Sequence, residues 1–221
     1  MFVALCGSNV TLSIRLYAGK PEYPSGTRRR LSVVMEGIGS DNPDGADNQQ
    51  ERLVEFRGWV IGLVDGEGCF SIGFVRQGGG RGRSAYRLGY QVTHRFLVVQ
   101  GASSRACLEE LREFFGVGRI YSNARHDNHR EDLLQYIVNR RADLVETVIP
   151  FFEEHPLRTA KRDNFEKFAQ IVWMVDNGCH LTRDGLFEIV EIAQTMNHRK
   201  PRHDLIRILR GHTPEVQDTG S

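Results

Sequence analysis

The chain is predicted to fold as an α+β domain in the order αββαββα, one antiparallel sheet against a layer of helices, with extra helices at the C-terminal end. Apolar residues recur at three-to-four spacing from Gln50 and again after Ser103, the period of a helix buried on one side. Each such stretch is followed by two runs rich in β-branched and aromatic residues, separated by a glycine-rich or polar segment, as in a hairpin. A length of 221 residues, 40% hydrophobic and 26% charged, suits one domain of ordinary size and excludes wholesale disorder.

Taken in order, residues 1–49 are expected to form a poorly ordered extension, because Gly, Pro, Asp, Asn and Ser dominate Gly37 to Asn48 and Pro21 to Gly26 is turn-rich. Met35 lies before the expected domain over residues 50–212 and is a candidate alternative start. Leu53, Phe56, Val60, Leu63 and Val64 share a helical face; Trp59 and Ile61 make the second half apolar nearly all round, which predicts a buried helix. Cys69 to Val75 and Tyr86 to Val99 read as strands joined by the loop Gly78-Gly79-Gly80-Arg81-Gly82. Ser103 or Ser104 is positioned to cap the next helix, whose Leu108, Leu111 and Phe115 align and which Gly116 ends. Val117 to Ser122 and Leu133 to Asn139 form a second hairpin, and Asp143 to Glu154 a helix interrupted near Pro150. Thr159 to Asp176, Thr182 to Met196 and Pro201 to Arg210 complete a helical cover, followed by a tail over 213–221 expected to be disordered.

No run reaches the roughly 18 apolar residues of a spanning helix, and Met1 to Cys6 is too short for a signal peptide, so a cytoplasmic or organellar matrix location without a membrane is expected. Cys6, Cys69, Cys107 and Cys179 lie far apart with no C-x-x-C, which indicates neither a disulfide framework nor a cysteine zinc site. The net charge of +1 hides a polarised distribution: between Glu67 and Glu109 there is no acid, but Arg76, Arg81, Arg83, Arg87, Arg95 and Arg105 all fall there. A basic element on a near-neutral body is the footprint of a phosphate-binding surface.

The chemistry concentrates in Gly58-Trp59-Val60-Ile61-Gly62-Leu63-Val64-Asp65-Gly66-Glu67-Gly68. Gly58, Gly62 and Gly66 recur every four residues on one helix face, and each costs roughly 0.5 to 1 kcal/mol relative to alanine. Close approach of another helix offsets that cost. Asp65 and Glu67 then stand at the helix C-terminus, where the dipole disfavours anions and a divalent cation would reverse the sign.

Gly62-Leu63-Val64-Asp65-Gly66-Glu67-Gly68 resembles the signature of the LAGLIDADG homing endonucleases. The resemblance runs over roughly Arg52 to Asp176 and includes two further landmarks in the family's order, Phe115-Gly116-Val117-Gly118 and Pro156-Leu157-Arg158-Thr159-Ala160-Lys161-Arg162. It implies a saddle-shaped antiparallel sheet backed by helices. With one signature copy, it also implies a homodimer paired through Gly58, Gly62 and Gly66. Glu67 would be the principal ligand of Mg²⁺ or Mn²⁺, with the Gly66 carbonyl as companion, Asp65 shaping the helix end, and each subunit hydrolysing one strand of double-stranded DNA. Lys161 falls where the family has a lysine supporting the solvent network at the scissile phosphate, and His94 where a polar residue organises water.

The same resemblance assigns sequence reading to the sheet. Ser71, Gly73, Val75 and Gln77 alternate on one strand, and Arg83, Arg87 and Gln91 on the next. A strand rises about 3.3 Å per residue and duplex DNA about 3.4 Å per base pair, so a strand of about nine residues follows roughly eight to nine base pairs. Arg87 and Gln91 are the expected base readers, with Arg119, Tyr121, Asn123, Arg125, Gln135 and Asn139 adding contacts from the second hairpin. Two departures from the family stand out: the final signature acid is Glu67 rather than the commoner aspartate, and Val98 replaces a basic residue that some relatives carry. An intron RNA maturase and a catalytically inactive DNA-binding protein remain alternatives on the same fold, so intron RNA is a candidate partner beside DNA.

Overall fold

The first described element is helix α1, Pro43–Glu67, in a computed structural model that describes residues 43–77, 88–123, 131–197 and Ile206. Met35 and most of the 1–49 extension lie outside the described residues. So do the Gly78-to-Gly82 loop, Arg83, Arg87, Arg125, the Pro201-to-Arg210 segment apart from Ile206, and the 213–221 tail. The helix begins upstream of Gln50, where the hydrophobic period sets in. Pro43 suits its first position because an N–H there has no intrahelical partner. The buried Val60 and Val64 seat α1 over β1, Gly68–Arg76, and β2, Tyr90–Gly101.

The expectation of a helix buried nearly all round is corrected. Gly58, Gly62 and Gly66 are exposed, and Val54, one turn earlier in the same row, is 59% exposed. Trp59 and Ile61 are partly buried against the core. The glycine row has no side chains to bury, so it leaves a bare strip of backbone.

Strands β3, Arg119–Asn123, and β4, Leu133–Val138, join β1 and β2 in one antiparallel sheet of order β1-β2-β4-β3. The register runs from Gly68↔Val98 to Arg76↔Tyr90 between β1 and β2, and from Phe96↔Val138 to Gly101↔Leu133 between β2 and β4. Strands β3 and β4 pair from Arg119↔Ile137 to Asn123↔Leu133. With helix α2, Arg105–Phe115, between the hairpins, the αββαββα order is as expected. Phe70 and Ile72, then Val92, Phe96 and Val98, then Leu134, Tyr136 and Val138 are buried on one face. The residues between them form the opposite face.

Phe70 is the hub of the core. Its ring centroid lies 5.2 Å from Phe96, 5.7 Å from Phe152, 5.2 Å from Phe165 and 5.3 Å from Phe168, so one residue of β1 ties the sheet to the helices above it. Between α2 and β3 the chain turns through Gly116 at φ 65° and Gly118 at φ 85°. A Cβ on Gly118 would lie 2.7 Å from the Tyr136 ring, whose hydroxyl donates to Val117 O at 2.8 Å.

One expected helix detail is corrected. Neither Ser103 nor Ser104 caps α2 with its side chain; the Glu131 carboxylate accepts from Ser103 N at 2.8 Å instead. A 3-10 turn over Ala102–Ser104 precedes α2 and turns its first amide toward the start of the β4 hairpin arm. Glu131→Ala is expected to cost about 1 kcal/mol and lower Tm by a few degrees in calorimetry; an unchanged Tm would show that this cap contributes nothing. The helix over residues 141–154 is interrupted next to Pro150, as expected. Helix α3, Arg141–Asp143, passes through a π turn, Leu144–Val148, into α4, Ile149–Glu154, where Pro150 occupies the first turn. The wider turn absorbs the hydrogen bond that proline cannot donate.

Helix α5, Lys161–Asp176, packs on β1, and α6, Arg183–Gln194, packs on α5. Thr182 caps α6, its hydroxyl accepting from Gly185 N at 3.2 Å. Helix α5 begins at Lys161, and the Thr159 hydroxyl serves its start as expected, accepting from Lys161 N at 3.2 Å while donating to Asp65 Oδ1 at 2.8 Å. Asn197, at φ 50°, donates from its side chain to Phe70 O at 3.0 Å along the outer edge of β1.

Candidate active site

The last turn of α1 exposes carbonyl oxygens without intrahelical donors, and the sequence adds two carboxylates there. Asp65 resolves its part by binding the chain before α5: it accepts from Arg158 N at 2.8 Å, Thr159 N at 3.2 Å and the Thr159 hydroxyl at 2.8 Å. Burial pushes its carboxyl upward, but these donors, with the Lys161 charge, hold it below its ordinary 3.8. A carboxylate with a lowered folded-state value stabilises the fold above the ordinary value and loses that contribution as pH falls through the lowered one. Asp65→Asn is therefore expected to cost about 1 kcal/mol or less near pH 7, a modest figure because the site is solvent-screened. It should also flatten the acid limb of Tm against pH, from the ordinary carboxylate range downward. Parallel acid limbs for the two proteins would overturn this account.

Lys161, the first residue of α5, reaches back to the same helix end and donates from Nζ to Gly66 O at 2.9 Å. Burial lowers its ammonium from the ordinary 10.5, against the upward pull of Cys69, Asp65 and Glu67. Burial likewise raises the Cys69 thiol, against Lys161 and Arg95, so Cys69 stays protonated near neutrality. Gly66, Glu67, Lys161, Cys69 and Arg95 thus gather where α1 meets the open face of the sheet.

That open face carries most of the expected DNA readers. Ser71, Gly73 and Val75 on β1, with Gln77 just beyond it, alternate with the buried set, and Gln91 pairs with Val75. Gln77 Nε2 donates to Gln91 Oε1 at 2.9 Å. Arg119, Tyr121 and Asn123 on β3 share the face with Gln135 on β4, Tyr121 opposite Gln135, and the exposed Asn139 follows the end of β4. Thr93 and Arg95 stand on the same face; Arg95 belongs to the basic stretch already noted, Thr93 carries no expected role, and the alternation that selects Gln91 reaches both. Leu97 and Ile137 pair between the polar wings, so the middle of the face is apolar.

His94 is not part of this constellation, which corrects its expected catalytic role. From β2 it pairs with Ile72 of β1 and points with Val92 and Phe96 toward the helices. Burial lowers its imidazole from 6.5, with Arg141 and His180 adding to the effect, so it is neutral near pH 7. The family landmark fixed its position along the strand and left its face undetermined.

The donor set at the end of α1 is hard oxygen, the exposed Glu67 carboxylate and the Gly66 carbonyl, as Mg²⁺ or Mn²⁺ prefers. The Lys161 ammonium already stands at that carbonyl as a cation, so the site favours positive charge and fits a divalent ion. Among the described residues of one chain no group of three or more His, Cys, Asp or Glu could by itself hold a metal ion.

Residues 60–172 match the family described as LAGLIDADG endonuclease, about half of the chain. With the fold and helix-end site above, the chain belongs to the LAGLIDADG endonuclease family. It is similar to the crystal structure of the homing endonuclease I-TnaI at 40% identity and TM-score 0.59, over 70% of this chain and 95% of that one. I-SmaMI bound to an uncleaved DNA target in the presence of calcium ions is 26% identical at TM-score 0.58, over 70% of this chain and 49% of that one. "Probable intron-encoded endonuclease 3" of Neurospora crassa is 33% identical over 141 residues, 63% of this chain. The chain spans 24% to 33% of the length of four curated relatives it matches, from Podospora anserina, Neurospora crassa and Mycosarcoma maydis.

Proposed function

We propose that this chain is an intron-encoded homing endonuclease. In this reading it works as a homodimer and makes a site-specific double-strand break in a long pseudo-palindromic DNA target by Mg²⁺-dependent phosphodiester hydrolysis. The observation that carries the reading is the end of α1, where the exposed Glu67 and the Gly66 carbonyl stand beside a bare glycine row. A Cβ at Gly58, Gly62 or Gly66 would meet nothing within 4 Å, so a second copy can approach along that row until backbones nearly touch. The match covers nearly all of the I-TnaI chain but half of the I-SmaMI chain, a relation that fits one chain supplying one of two halves.

When bound, Mg²⁺ or Mn²⁺ supplies polarisation of the scissile phosphate and stabilisation of the leaving 3′ oxygen. The chain's own groups do the rest. Glu67 from each copy provides negative charge at the shared centre. Asp65 fixes the angle at which α1 delivers Glu67 by clamping residues 158 and 159. Lys161 holds positive charge toward the phosphate side, and the open sheet face lies along the groove, with Gln91, Gln77 and Arg119 reading base edges and Arg95 nearest the cleavage centre. The compartment is that of the host intron's DNA; among the described residues no helix is long and apolar enough to cross a membrane.

The test is to incubate the protein with Mg²⁺ and an intron-lacking copy of the host gene, and separately with the intron RNA. Double-strand cleavage at one site is the expected result. Stimulated splicing without cleavage would replace this reading with an RNA maturase, and DNA binding without cleavage would replace it with an inactive DNA-binding protein.

A further inference from the structure

We propose that the Lys161 ammonium is a displaceable stand-in for the divalent cation: it holds the Gly66 carbonyl in the metal-free protein and surrenders that oxygen when the ion arrives. The proposal rests on the metal-site reading above and deepens it. Gly66 O belongs to the last turn of α1, where carbonyls lack intrahelical donors, and Lys161 Nζ satisfies it at 2.9 Å across 95 residues of sequence. Asp65, the alternative partner for the ammonium, has its oxygens committed to Arg158 N, Thr159 N and the Thr159 hydroxyl. Lys161 is therefore directed to the carbonyl.

An ion on Gly66 O at the usual distance of about 2.1 Å would stand within about 4 Å of an ammonium on the same oxygen. Two positive charges that close, in a partly desolvated corner, repel. The lysine yields because it carries its charge on a flexible four-carbon stem with several available rotamers. Glu67 favours either cation, so the exchange keeps the acid end of α1 neutralised throughout. Once released, the ammonium is free for a DNA phosphate. Ion loading and arming of the phosphate-side lysine are then one event, and the protein holds back the second until the first has occurred.

Mn²⁺ titrated into the full chain, with free ion followed by its electron paramagnetic resonance signal, tests the exchange. Lys161→Met should bind Mn²⁺ about tenfold tighter than the unsubstituted protein, because the competing occupant of the carbonyl is gone. Arg158→Met removes a neighbouring exposed positive charge that makes no bond to Gly66 O and keeps the backbone N–H that Asp65 holds, and should change the affinity less than about twofold. Equal or weaker binding by Lys161→Met overturns the proposal. Equal tightening by both variants also overturns it, since net charge would then explain the effect. Glu67→Gln should lose the ion; if it binds Mn²⁺ as well as the unsubstituted chain, the metal-site reading itself fails. The unsubstituted protein gives a second readout independent of any variant's folding. The ¹⁵N resonance of the Lys161 ammonium should shift on addition of Mg²⁺, and a resonance that stays in place overturns the exchange.

Discussion

Glu67→Gln is expected to reduce DNA cleavage by at least about 10³-fold while leaving DNA affinity within a few fold. The amide keeps the volume and one oxygen of the carboxylate but removes the charge that a hard divalent ion requires. Because Glu67 is exposed, the substitution opens no cavity and strands no buried donor. It also removes an anion from the unfavourable end of a helix, so the thermal midpoint should hold or rise slightly. Activity and stability are thus predicted to move independently, which separates loss of the ion from loss of the fold. Single-turnover cleavage, filter binding and a thermal melt on the same preparation decide the matter. Cleavage within tenfold of the unsubstituted protein would remove Glu67 from the reacting centre.

The parts of this architecture that rest on local periodicity were legible in the sequence. The αββαββα order follows from alternating helical and strand periods, and Gly116, Gly178 and Thr182 mark helix ends through chemistry confined to one or two turns. Interactions that join distant segments were not legible. Neither Ser103 nor Ser104 supplies the expected cap; the Ser103 amide is instead held by Glu131, 28 residues away, and no local pattern encodes that pairing. Lys161 became a candidate through the family landmark around it; its bond to Gly66 O is a product of the fold. The two misreadings about orientation share a cause. Helix α1 was expected to be buried nearly all round because hydrophobic periodicity gives little weight to glycine. His94 was assigned to the reacting face because a landmark aligned along a strand does not reveal on which side the side chain emerges. Counting the alternation outward from Phe96, the most deeply buried residue of β2 beside Val98, would have turned His94 inward and brought Arg95 and Thr93 forward.

Gly62→Leu is expected to have opposite effects on the lone chain and on its pairing. Within one chain nothing lies within 4 Å of a Cβ at residue 62, so the leucine has room. Replacing glycine inside a helix also favours that helix by about 0.8 kcal/mol. The single chain should therefore melt at the same temperature or higher. In the proposed dimer the same position faces its symmetry mate across the axis, and two inserted leucines must be accommodated where backbones approach. Overpacking costs about 1–3 kcal/mol per site, so two sites weaken association by roughly 30-fold to 10⁴-fold. Sedimentation equilibrium at micromolar concentration should show monomer for the variant and dimer for the unsubstituted protein. Double-strand cleavage should fall in parallel, because each monomer would carry half of the metal centre. An intact variant dimer would move the pairing surface away from the glycine row. If instead the variant melted lower as a monomer, the row would be packed within one chain, contrary to the open space around it.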